Sequence, residues 1–224
     1  MLYPIRTAAL LLGLLTVLTG FIYPLIVTVV AQAVFPWQAN GSLVKHPRLI
    51  RQLVPNDGER VDSKHPGTSE MWVGSELIGQ SFNDPKYFWG RPSATASVAY
   101  NGLGGSGSNQ APTNPALVEA VRERVARLQS ADPGNHAQIP VDLVTASSSG
   151  LDPHISEAGA LYQVTRVARA RKSDSTTLNT IVQSHVERPT MGVFGQSRVN
   201  VLKLNLELDT YFSKRSAEVT SPAP

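Results

Sequence analysis

The chain has 224 residues, 42% of them hydrophobic and 17% charged, which is enough for one core-bearing domain and short for two. Its 20 Lys and Arg against 17 Asp and Glu leave a net charge of +3, too small and too scattered for the clustered basic face of a nucleic-acid binder. The absence of cysteine rules out disulfides, thiolate nucleophiles, zinc ribbons and iron–sulfur clusters together, and leaves the compartment open.

From Thr7 to Val44, 38 residues pass without Asp, Glu, Lys or Arg, and Ala8 to Val30 is almost wholly Leu, Val, Ile, Ala and Thr. This predicts a membrane span over 7–34, within an anchor of residues 1–36. Ala31-Gln32-Ala33 resembles a small-residue cleavage site, but the 23 residues from Ala8 to Val30 exceed the roughly 7–15 of a signal peptide, so the expectation is an uncleaved anchor. As a helix the span is ~42 Å long against a ~30 Å hydrocarbon core and has to protrude or tilt. Pro24 lies inside it, where it can kink the helix, and Tyr3 at one end faces Phe35 and Trp37 at the other as interfacial aromatics. Ala9, Gly13, Thr16 and Gly20 fall on one helix face, a stripe of small residues that fits a partner-helix interface; ordinary membrane-helix composition is the alternative.

Residues 37–212 are expected to form one soluble domain of mixed helix and strand, so that the whole is an α+β fold behind a single N-terminal transmembrane helix. Lys45 to Glu70, with Pro47, Pro55 and Pro66, reads as a surface excursion. Asn114 as N-cap and Pro115 as first helical residue open a helix through Leu117, Val121, Val125 and Leu128, with Glu123 and Arg127 spaced to pair. Val141 to Thr145 is a short strand candidate followed by a turn at Ser147 to Gly150. Ser156 caps a helix that turns Ala160, Leu161, Val164, Val167 and Ala168 inward and ends in Arg169, Arg171 and Lys172, cations favoured by the helix dipole and expected to face solvent. A further helix spans about 176–186. Leu202, Leu204, Leu206 and Leu208 alternate with Lys203, Asn205 and Glu207 as a half-buried strand does, and the polar residues 213–224 are expected to be a disordered tail.

Gly102-Leu103-Gly104-Gly105-Ser106-Gly107 matches G-x-G-x-x-G, but the next helix waits until Pro115 and no Walker lysine exists, so a flexible glycine-serine loop is the better reading. Its small residues still allow an anion or a protein partner to approach the backbone closely. Ser149, Asp152 and His154 are neighbours that a membrane-anchored extracytoplasmic serine hydrolase could use, yet no G-x-S-x-G elbow is present, and Asp-Pro-His reads more simply as a lead-in to the helix capped by Ser156. None of the five histidines has metal-ligand spacing. Phe82, Tyr87, Phe88 and Trp89 are expected to form a core corner rather than a docking surface.

Five blocks carry a resemblance to a family. They are Ala39-Asn40-Gly41-Ser42 after the anchor, Gly74-Ser75-Glu76-Leu77-Ile78-Gly79-Gln80, and Tyr87-Phe88-Trp89-Gly90-Arg91-Pro92-Ser93-Ala94. Pro112-Thr113-Asn114-Pro115-Ala116-Leu117 follows, then Ser149-Gly150-Leu151-Asp152-Pro153-His154-Ile155-Ser156 ahead of the helix that ends at Arg171. In this order they resemble the C chain of potassium-transporting P-type ATPases, the KdpC family. The resemblance implies a non-catalytic accessory subunit in the bacterial plasma membrane, with its domain outside the cytoplasm. Its implied partners are a channel-like chain that carries potassium and a P-type chain that hydrolyses ATP. It implies no cofactor of the chain's own. It implies a catalytic-chaperone role that raises the ATP affinity of the catalytic chain, with nucleotide contact at Ser106, Gly107, Ser108, Asn109 and Gln110. The family's usual Ser-Gly-Gly-Ser-Asn is reordered here as Gly105-Ser106-Gly107-Ser108-Asn109, which weakens that last transfer, and the 45–72 segment is longer than the family's usual connector.

Overall fold

A computed structural model describes residues 2–47 and 70–220, so most of the 45–72 segment lies outside the described residues. The chain divides into two compact units, Met1–Leu43 and Val44–Pro224.

In the first unit, α1 (Leu2–Val17) runs through a π-helical turn (Leu18–Ile22) into α2 (Tyr23–Val34), and a single turn, α3 (Pro36–Ala39), follows. Tyr3–Val34 forms one apolar helix long enough to cross a membrane, about 48 Å at ~1.5 Å per residue. Pro24 has no N–H for the regular ladder, and the helix answers by widening for one turn, where the Tyr23 N–H reaches the Leu18 carbonyl. The Thr19 hydroxyl donates back to the Leu15 carbonyl at 2.7 Å.

Beyond the first helices the chain forms two small sheets. β1 (Leu43–Pro47) pairs with β2 (Glu70–Ser75), and β3 (His154–Ser156), β5 (Arg198–Asn200) and β4 (Val186–Glu187) form an antiparallel sheet in that spatial order. His154 faces Asn200 and Ser156 faces Arg198 on one side of β5, while Val186 faces Val199 on the other. The helices are α4 (Pro115–Ala131), α5 (Glu157–Arg171), α6 (Ser175–Ser184) and α7 (Val201–Thr220). The starts of α4 and α5 are capped as the sequence predicts. Asn114 accepts from the Ala116 N–H and Ser156 from the Gly159 N–H, and Asp174 does the same for α6 through Thr176. Phe88, Ile155, Val167, Leu178, Val182, Val199, Leu204 and Leu208 are fully buried in one core.

The aromatic corner belongs to this core: Tyr87, Phe88 and Trp89 are all buried, although they sit in no helix or strand. Side chains satisfy their backbone groups instead. Asn205 accepts the Phe88 N–H at 2.9 Å and donates to the Phe88 carbonyl at 3.0 Å. Gln163 does the same for Trp89, at 2.8 and 3.1 Å. Arg166 donates to the Pro85 and Tyr87 carbonyls and lies 4.1 Å from the Trp89 ring centroid. Because a buried unpaired amide is costly, these three side chains allow an irregular segment to cross the core.

Five expectations are corrected. Val141–Thr145 is no strand: Val141–Leu143 is a 3-10 turn, since the Val144 and Thr145 N–H groups fold back on the Val141 carbonyl and Asp142 is drawn to Ser156 at 2.7 and 3.0 Å. Leu202 to Leu208 lies in α7, where Val201, Leu204, Asn205 and Leu208 make a buried face of helical period; Asn205, read as an outward strand residue, is 1% exposed. α7 continues through Thr220, so residues 213–220 are helical rather than disordered; no Pro or Gly interrupts the chain before Pro222. Arg171 does not face solvent: it donates to Asp209 at 2.8 Å and to the Lys86 carbonyl at 2.7 Å, with 8% of its side chain exposed. Glu123 and Arg127 were spaced to pair, but Arg127 turns to Asn83 at 2.7 Å and to the Trp89 ring.

Candidate functional site

The glycine loop is packed in place. A Cβ on Gly107 would lie 2.7 Å from the Ser148 carbonyl oxygen, and one on Gly150, which has φ +69°, would lie 2.7 Å from the Ser106 carbonyl oxygen. Glycine at these positions lets two backbones touch. Hydroxyls tie the neighbourhood together: Ser93 donates to the Gly150 carbonyl at 2.7 Å and accepts the Tyr100 N–H at 2.9 Å, while Thr95 donates to the Val98 carbonyl. The Tyr100 hydroxyl donates to the Arg91 carbonyl at 2.6 Å. Burial, reinforced by the Asp152 charge, pushes the Tyr100 phenol up to about 12.

Ser106, Ser108 and Asn109 are exposed on this loop, and Gly107 and Gln110 are half-buried. Between Arg91 and Glu119 the chain carries no Asp, Glu, Lys, Arg or His over residues 92–118. The cation at its edge, Arg91, is paired with Asp152 at 3.1 Å. The following helix offers little either, because Asn114 occupies the Ala116 N–H and the Leu117 N–H bonds the Asn114 carbonyl. A triphosphate needs fixed cations or a row of open N–H donors, and this loop supplies neither cation nor free helix start.

The hydrolase candidates come close together but not in catalytic order. The Ser149 hydroxyl accepts the Leu151 N–H at 3.1 Å and shapes the turn. His154 lies with Nδ1 3.4 Å from Asp152 and Nε2 3.8 Å from Glu187, so both ring nitrogens face carboxylates, whereas a triad requires the nucleophile's hydroxyl at one of them. Burial alone would raise the Asp152 carboxyl, but hydrogen bonds from His154 and the Arg91 guanidinium outweigh it and hold the group below its usual range. Lys203 and Arg198 close the network, at 2.6 Å from Glu76 and 3.0 Å from Glu187 respectively. Among the described residues no group of three His, Asp or Glu is placed to hold a metal ion.

Two apolar features remain. On the span, Ala9, Gly13, Thr16 and Gly20 are exposed, and a Cβ added at Gly13 or Gly20 would meet nothing within 4 Å. In the domain, the β4–β5 connection makes a turn closed by paired Thr190 and Phe194 backbone bonds at 2.9 and 3.0 Å. It holds Met191, Val193 and Phe194 at 87%, 77% and 68% exposure, with Met191 at φ +55°. In the sequence this turn is signalled only by two glycines, Gly192 and Gly195, bracketing apolar residues. Three large apolar side chains held in water by a hydrogen-bonded turn are the kind of feature that marks a contact surface.

These features define a class: an α+β domain and one apolar helix long enough to cross a membrane, each with large apolar groups exposed. The chain belongs to the KdpC family, the c chain of K+-transporting ATPases, whose model matches residues 5–54 and 57–210. It is 54% identical over 209 residues to the potassium-transporting ATPase KdpC subunit of Sorangium cellulosum, covering 93% of this chain and 98% of that one. The KdpC subunit of Methylococcus capsulatus is 52% identical over 204 residues, with 91% and 96% covered, and that of Variovorax paradoxus is 51% identical over 211 residues, with 94% and 98% covered.

Proposed function

We propose that this chain is a non-catalytic accessory subunit of an ATP-driven potassium-uptake complex, joined to a separate channel-like chain that carries potassium and to a P-type chain that hydrolyses ATP. The observation that carries the reading is the span, whose small-residue face is open at Gly13 and Gly20 and so fits close contact with another membrane helix. The Met191, Val193 and Phe194 turn adds an apolar contact for the same complex from the domain.

The chain acts as a catalytic chaperone through the complex, raising the ATP affinity of the P-type chain without holding nucleotide tightly itself. The charge-free 92–118 segment and the committed Arg91 support this, since Ser106 to Gln110 offer a triphosphate no cation. The expected result has two arms. Calorimetry of the full chain in detergent gives an ATP Kd no tighter than roughly millimolar, near −4 kcal/mol, and a complex prepared without this chain needs more ATP for half-maximal hydrolysis. Micromolar binding to the isolated chain would refute the indirect route, and an unchanged ATP requirement would refute the chaperone role.

We infer that the domain lies outside the cytoplasm of a bacterial plasma membrane. Charge says little, because Arg6 stands before the span while Lys45, Arg48 and Arg51 stand beyond it, and the loop rule weakens ahead of a long domain. A single cysteine in the 213–224 segment of this cysteine-free chain is expected to react with an impermeant reagent in intact spheroplasts. Labelling only after the cytoplasmic side is opened would reverse the assignment.

A further inference from the structure

Pro24 can donate a backbone hydrogen bond neither to Gly20, four residues back, nor to Thr19, five residues back. The Tyr23 N–H, the remaining ladder donor in reach of Thr19, goes to Leu18. The Thr19 hydroxyl is turned to Leu15 and serves the wrong carbonyl. The Thr19 carbonyl is therefore left without its helical donor. It also lies at the middle of the apolar Tyr3–Val34 helix, as far from either water layer as this chain allows. A carbonyl there keeps its full appetite for a donor, and hydrocarbon provides none. Gly20, next to it, carries no side chain to hold a neighbouring helix away from the backbone.

We propose that the Thr19 carbonyl accepts a hydrogen bond from a polar side chain, a Ser or Thr hydroxyl or an Asn or Gln amide, on a membrane helix of another subunit of the complex. The proposal rests on the reading of Ala9, Gly13, Thr16 and Gly20 as a partner face, and it deepens that reading. Small residues bring two helices close at many registers, whereas an acceptor at a fixed depth selects the register at which a donor meets it. The partner helix accordingly carries a polar residue at mid-membrane depth, and the proline that opened the ladder is the reason this acceptor exists.

Thr19-Gly20 is the only Thr-Gly step in the sequence. Carbonyl-13C threonine with 15N glycine, incorporated into this chain alone and assembled with unlabelled remaining subunits, therefore isolates the Thr19 carbonyl by solid-state NMR. The reference is Pro24→Ala, which restores an N–H to the ladder and is expected to move the Thr19 signal downfield in the chain alone. The wild-type chain, diluted in bilayers without its partners, is expected to lack that downfield position and to gain it in the complex. A downfield signal already present in the chain alone identifies water or lipid as the donor and overturns the proposal. A signal unmoved in the complex overturns it too, as does a Pro24→Ala reference that fails to shift. An intact complex with an unmoved Thr19 signal would leave the small-residue contact standing, so the two failures can be told apart.

Discussion

Arg166→Met is expected to lower the stability of the domain by about 3 kcal/mol, and its Tm by about 6–12 °C for a unit of this size. Arg166 is 4% exposed, and its guanidinium bonds the Pro85 carbonyl, the Tyr87 carbonyl at 3.0 Å and Gln163 at 2.7 Å. Burial pulls its ionisation down to about 10, partly countered by the Asp132 carboxylate, so the group remains charged at neutral pH. Methionine fills similar space and relieves the burial of charge, but it leaves acceptors without donors beneath the aromatic corner, each worth about 1–3 kcal/mol. The comparison is Arg122→Ala, which breaks an exposed pair with Glu119 at 3.3 Å and should cost no more than about 0.5 kcal/mol. Urea unfolding of the full chain in detergent, followed by tryptophan fluorescence, measures both. Equal losses would show that packing alone holds Tyr87 to Trp89.

Gly13→Leu combined with Gly20→Leu is expected to abolish recovery of the assembled complex through a tag on another subunit, while Leu15→Ile leaves it unchanged. A side chain at either glycine meets open space within this chain, so the anchor itself can accept both leucines. Any loss therefore arises at the partner, where the added side chains forfeit many contacts of ~0.1–0.2 kcal/mol each and push the helices apart. Undiminished recovery would show that the domain alone secures the subunit and that the stripe is ordinary membrane-helix composition.

What could be read from the sequence follows from how local each signal is. The anchor announced itself by composition, and α4 and α5 by their caps and apolar spacing, because every residue involved lies within a few turns of the next. β3, β4 and β5 are two or three residues long and exist only because they pair with one another, so no periodicity could reveal them. α7 misled for a related reason. Alternating leucines fit a strand until Asn205 is known to point inward, and that depends on the Phe88 amide, 117 residues away. Gln163 and Arg166 looked like ordinary polar positions of an amphipathic helix and proved to be the clamp on the aromatic corner. At the loop, the five positions named by family likeness were visible, but their setting was not: it took the fold to show that Gly107 and Gly150 bring two backbones together and that Arg91 is already engaged.

The clamp also sets an order of events during synthesis. The Phe88 backbone waits for a residue 117 positions later, which at 5–20 residues per second is roughly 6–23 s of translation. The apolar anchor, at the other end of the chain, is complete before any of that interval begins. If the apolar helix spans the membrane as proposed, it can enter the bilayer while the aromatic segment is still unsheltered, and that segment gains its Asn205 partner only once α7 has left the ribosome. On that reading insertion precedes folding, and α7, through Asn205, is the latch of the aromatic segment.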